Sequence, residues 1–271
     1  MFRRAIAFLL LGFALASPAL AATKTTATKK TTATKAKPKK VPCAKNLAAC
    51  PDEGCGTRFD PNLNKQKNIR VDATDAQGPA TVMTLTQIKQ LDDPENFAKG
   101  DERDEIRALG EGTKVKVLAY LLIARDEPGG ESCNCGLTSK AETDNHLVLV
   151  SKFTVDTFPL DGTTAPELKA VLDQREEESI TAEFTPRIRV DGHPNFLKAT
   201  MDPLIKKAKE RALLVRVTGV LMFDSEHFLG HHLKRVNNWE IHPVLKMEFC
   251  ETGWSCKIGS DTGWKSVDDL P

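Results

Sequence analysis

Seven cysteines, Cys43, Cys50, Cys55, Cys133, Cys135, Cys250 and Cys256, follow a segment built like a secretory signal, and this combination constrains the fold most. Arg3 and Arg4 supply a positive start, Ala5 to Ala16 run without a charge, and Ala19-Leu20-Ala21 is a small-x-small cleavage site. The apolar run is too short to cross a bilayer, and nothing later approaches spanning length, so no transmembrane segment is expected. Cleavage would leave Ala22 as the first mature residue and carry the chain to the periplasm or the extracellular space. There thiols oxidise, and the default fate of the cysteines is disulfides with one thiol left over.

Spacing makes Cys250 and Cys256, which flank the turn-like ETGWS, a local pair. Cys43, Cys50 and Cys55 sit in a Pro/Gly/Asp-rich stretch that needs crosslinks to fold, and one of them is expected to reach Cys133 or Cys135. Metal is the alternative use of these thiols. Neither pair has the C-x2-C spacing of structural zinc sites, and an oxidising compartment favours S–S bonds.

Residues 22–42 form a low-complexity Thr/Lys linker, and Thr23–Lys40 within it has no side chain that could anchor a core. Its lysines offer contact to an envelope polyanion. The chain carries 38 basic and 37 acidic side chains, but nine basic and no acidic ones lie within residues 1–40. The body is therefore acidic by eight charges, which disfavours a nucleic-acid partner, since such binding rests on phosphate neutralisation.

Residues 43–112 read as an irregular, disulfide-pinned lead-in with a short helix over Leu85 to Leu91. Strand patterns follow at Val115–Ile123, Asn145–Val150 and Ser179–Thr185. The principal helix is expected over Asp202–Leu213, with Asp202 as N-cap and Pro203 at the first helical position. Two more strands, Val215–Phe223 and Trp239–Phe249, complete the set; Gly219 suits a barrel bend, and Pro243 marks an edge or a bulge. Three strands, a helix and two strands give the element order of an OB-fold. The expected architecture is mainly β, an OB-fold-like five-stranded barrel over residues 113–250 with a tail at 251–271. The surplus length falls in two insertions, Thr154–Glu178 and His227–Asn238.

The segments CPDEGCGTRFDPNLNKQKN, ESCNCG, DNHLVLV, ITAEFTP, VRVTGVLMFD and WEIHPVLKMEF resemble, in this order, a group of uncharacterised exported bacterial proteins. The likeness covers roughly residues 50–250 and implies that these segments form one domain. It brings no activity with it. A broader set of secreted bacterial proteins shares the last four patterns but has a His-Gly pair where this chain reads DSEHFLGHH.

Strand alternation locates the candidate chemistry. His146 shares a face with Asp144 and Val148, Glu183 with Thr181 and Thr185, and Glu240 with His242. If these faces converge, two imidazoles and several carboxylates meet, a first shell for a divalent transition metal or an acid/base pair. Glu183 and His146 also fit a plain structural pair across neighbouring strands. His227, His231 and His232 cluster with Asp224 and Glu226 in a loop and are weaker candidates. No nucleophile elbow, phosphate loop or H-E-x-x-H helix is present. With one Tyr and few aromatic residues, a stacking platform is disfavoured as well. The expected function is a noncatalytic binding module of unknown ligand, carried on the face of the second and third strands. The alternative is a metal-dependent hydrolase, such as a phosphodiesterase, using His146, Glu183 and His242.

Overall fold

The computed structural model describes residues 42–56, 59–70, 79–227 and 234–271. The signal sequence, nearly all of the Thr/Lys linker, and His231 and His232 lie outside them. Seven strands occur among the described residues: β1 Thr81–Val82, β2 Lys114–Asp126, β3 Asn145–Val150, β4 Ile180–Phe184, β5 Leu213–Phe223, β6 Trp239–Cys250 and β7 Trp264–Ser266. Five of them close a barrel in the order β2-β3-β4-β6-β5 and back to β2, antiparallel except where β4 meets β6. Closure depends on the length of β2. Residues 114–121 pair with β5 and residues 120–126 with β3, with a register shift between Leu121 and Ile123.

This is the OB-fold order, with helices between the third and fourth barrel strands. β1 adds to β2 in parallel and β7 to β6 antiparallel. The C-terminal residues are thus woven into the sheet, and Val267 is fully buried. Alternation fills the interior: Val115, Val117, Ala119, Leu147, Leu149, Ile180, Ala182, Val215, Val217, Ile241 and Met247 join one core. A second apolar cluster, including Tyr120, Leu122, Val150, Leu214 and the Cys250–Cys256 bridge, lies on the outer side.

Several local expectations are corrected. The helix expected from Asp202 is α7, Lys198–Lys207, so Asp202 and Pro203 lie inside it rather than at its start. Leu197 caps it without a side-chain bond, and Lys198 pairs with Asp202 one turn on. Ala212 and Leu213 do not continue its apolar stripe: Glu210 and Arg211 take positive φ, 55° and 49°, and turn the chain into β5. The short helix of the lead-in is α2, Leu85–Lys89, closed by a Thr84/Gln87 capping box. The first insertion is helical, α4 Lys152–Thr157 and α5 Ala165–Glu177. The lead-in also carries α1, Pro61–Lys67, capped by Asp60, and α3, Asp104–Ala108, while α6, Pro186–Val190, follows β4.

Pro243 does not mark an edge, because β6 pairs with β4, β5 and β7. It marks a bulge: between the pairs Leu221↔Ile241 and Gly219↔Val244, His242 and the cis-linked Pro243 stand opposite Val220 alone. Gly219 makes the bend possible. A β-carbon there would fall 2.4 Å from the Ile241 methyl and 2.6 Å from the Pro243 carbonyl oxygen. Gly219→Ala is therefore expected to lower stability by about 1–3 kcal/mol, the usual range for overpacking. Urea unfolding checks it, and an unchanged midpoint would contradict the close packing.

Candidate functional site

The outward positions of β3, β4 and β6 do not meet solvent freely. Glu127 and Glu131 of loop 127–144 wall them on one side and Asp224, His227, Lys234 and Arg235 on the other, while α1 contributes Lys67. Two disulfides anchor the first side. Cys43–Cys55 closes the lead-in on itself, and Cys50–Cys135 ties it to loop 127–144, leaving Cys133 as a buried free thiol. Arg189 holds the end of the same loop through the carbonyls of Ala141 and Thr143. Arg187 binds the carbonyls of Cys50 and Pro51 in the lead-in.

The four strand residues singled out from the sequence meet on this face. Register places His146 opposite Glu183 and Thr181 beside Glu240. The Glu183 carboxylate, 2% exposed, receives His146 Nε2 at 2.5 Å on one oxygen and lies 3.0 Å from His242 Nδ1 with the other. His146 Nδ1 is 2.9 Å from Glu127, so both nitrogens of that ring are engaged by carboxylates. Glu240 lies 3.8 Å from His242 Nδ1 through Oε1 and accepts from Arg235 at 2.7 Å through Oε2. Arg235 also donates to Asp224 at 2.6 Å, and Asp224 accepts from His227 at the same distance.

Electrostatics follow from this geometry. Burial alone would raise the pKa of Glu183, but the charges of His146 and His242 hold it well below the carboxylate range. Burial likewise opposes protonation of His146 and His242, yet Glu183 raises both, with help from Glu127 at His146 and from Asp144 at His242. Asp144 is pushed well up by burial and by its neighbours Glu131 and Glu183. Asp224 would be raised by burial too, but the His227 bond and the charges of Lys67 and Arg235 keep it low.

Between the loops a cavity of about 200 Å³ opens onto His146 and Glu183. Lys67, Arg125, Lys234 and Arg235 bring positive charge to its wall; Glu127, Glu131, Glu176 and Asp224 bring negative charge. Most are cross-paired: Lys67 with Glu131, Arg125 with Glu176, Arg235 with Asp224. No Phe, Tyr or Trp lines it among the described residues.

Several of these residues escaped the sequence reading. Asp144 was visible as a same-face neighbour of His146, but Lys67, Arg125, Glu127 and Arg235 carry no spacing signal. Lys67 and Arg235 reach the site from 79 and 89 residues away from His146, whereas Arg125 stands directly opposite His146 in the β2–β3 pairing. Ligand-capable atoms of Asp144, Glu183 and His242 lie within 4.8 Å of one another, and Glu131, Cys133 and Asp144 form a second such group sharing Asp144. No known protein family, curated protein or solved structure matches the chain. The chemistry of the site carries the functional argument.

Proposed function

We propose that the protein is an exported, noncatalytic binding module that holds a small polar ligand in the cavity on the β3–β4 face. One observation carries this reading: the cavity lies where strands two and three of the barrel meet loop 127–144 and residues 224–227 and 234–235 of the β5–β6 connection, the surfaces with which OB barrels engage their ligands. Its size suits a molecule below drug size, since drug-sized sites run from about 300 Å³ upward. Its mixed charges favour a ligand carrying both signs, such as an amino acid or a dipeptide. The disulfides fit an oxidising compartment, and no helix among the described residues is long and apolar enough to cross a membrane.

A second reading, a metal-dependent hydrolase working through His146, Glu183 and His242, draws on the convergence of those side chains. It requires His146 to release one of its two carboxylate partners before the ring can take a metal or a proton.

Thermal unfolding with a panel of amino acids and dipeptides separates the readings. A ligand at a hundred times its Kd adds about 2.7 kcal/mol of stability, which raises Tm by about 5–10 °C in a domain of this size. Arg125→Ala, which removes a cation from the wall, is expected to reduce that shift. No shift from any member of the panel, together with a turnover abolished by His146→Ala, would replace the binding reading with the hydrolase.

A further inference from the structure

Behind the cavity, the floor of the site contains polar atoms that the protein itself leaves without partners. His242 is fully buried, and neither ring nitrogen makes a hydrogen bond within the described residues. The Glu183 oxygen 3.0 Å from His242 Nδ1 is also without a hydrogen bond, so the contact is close but misdirected. Glu240 Oε1, on a side chain 1% exposed, lacks one too. Burying polar atoms in this state is costly, and four of them within one pocket of side chains need a reason.

We infer that Asp144, Glu183 and His242 bind a divalent first-row transition ion beneath the cavity, with Glu240 beside them. The three donors come from the last residue before β3, from β4 and from the β6 bulge, and the bulge is what sets the angle of His242. Ligands around one such ion, each at about 2.0–2.2 Å, lie at most about 4.4 Å apart. The donor atoms of Asp144, Glu183 and His242 all lie within 4.8 Å of one another, so small side-chain movements bring them onto one ion. Two carboxylates with one imidazole suit zinc, manganese or cobalt better than a soft ion that prefers thiolates. Supporting bonds are in place: Asn134, itself buried, donates to Asp144 at 3.2 Å, and His146 braces Glu183 from the cavity side. His146 is not a ligand in this assignment, because its nitrogens are already engaged. The cation site stands whether or not the cavity above it binds a zwitterion.

The full mature chain, dialysed against chelator and then titrated with Zn²⁺ or Co²⁺ by calorimetry, tests the assignment. Wild-type protein is expected to take up about one equivalent, with Co²⁺ giving ligand-field bands and Zn²⁺ raising Tm. Asp144→Asn and His242→Gln are expected to weaken uptake at least about 100-fold, beyond the range for loss of a supporting residue. His146→Gln and Cys133→Ser retain the single equivalent. If His242→Gln fails to fold by circular dichroism, Asp144→Asn and the wild-type titration decide. Folded wild-type protein that binds none of Zn²⁺, Mn²⁺ or Co²⁺ at micromolar concentration overturns the inference. So does loss of the ion in Cys133→Ser, which would assign it to the neighbouring Glu131–Cys133–Asp144 group, or in His146→Gln, which would restore the imidazole pair of the hydrolase reading.

Discussion

Removing the Cys50–Cys135 bridge is expected to destabilise the protein by about 4 kcal/mol, the largest loss of any single crosslink here. The bridge spans 85 residues, against 12 for Cys43–Cys55 and 6 for Cys250–Cys256. A crosslink restricts the unfolded chain more as the loop it closes lengthens, so the three bridges should rank in that order. The variant needs both changes, Cys50→Ala with Cys135→Ala, because the free thiol of Cys133 is only two residues from Cys135 and offers Cys50 another partner. Urea unfolding of this variant and of the Cys250→Ala/Cys256→Ala pair makes the comparison. An equal or larger loss in the second pair would reject the loop argument. Ligand affinity should fall as well, since the bridge fastens loop 127–144, which supplies Glu127 and Glu131 to the cavity wall.

Arg235→Met should be nearly as damaging, by about 3–5 kcal/mol, the range for breaking a buried ion pair on one side. Arg235 is 8% exposed and lies between Asp224 and Glu240, themselves 4% and 1% exposed. Its removal leaves two carboxylates facing each other in a space that water hardly reaches. The diagnosis is checked by a second change. In the Arg235→Met background, Glu240→Gln should recover part of the loss, whereas in the wild type the same change should destabilise. Two losses that simply add would show that Arg235 acts through packing and not through charge.

The barrel was legible because its signals are local. Alternation in β3, β4 and β5 gives the strands, and their order around a helical connection gives the OB-type topology. The convergence of His146, Glu183 and His242 needed only period-two faces and neighbouring strands. What escaped is governed by other physics. The true start of α7 at Lys198 is hidden because Pro203 and Asp202 imitate a helix N-terminus more strongly than Leu197 does. Helix α5 has only a weak apolar stripe and a largely exposed surface, so periodicity does not announce it. The partner of Cys50 could not be read from spacing, since Cys133 and Cys135 differ only in which side of a turn each presents. Arg235 and Lys67 belong to the site solely through folding, and no pattern along the chain links them to Glu183.

Along β3 and β4, each residue aimed at the cavity alternates with one aimed into the barrel: His146 with Leu147, Glu183 with Ala182. Recognition and folding are thereby encoded on separate registers of the same strands. Substitutions at Glu183 or His146 therefore change the cavity floor and its ion pairs while the barrel-interior side chains stay as they are.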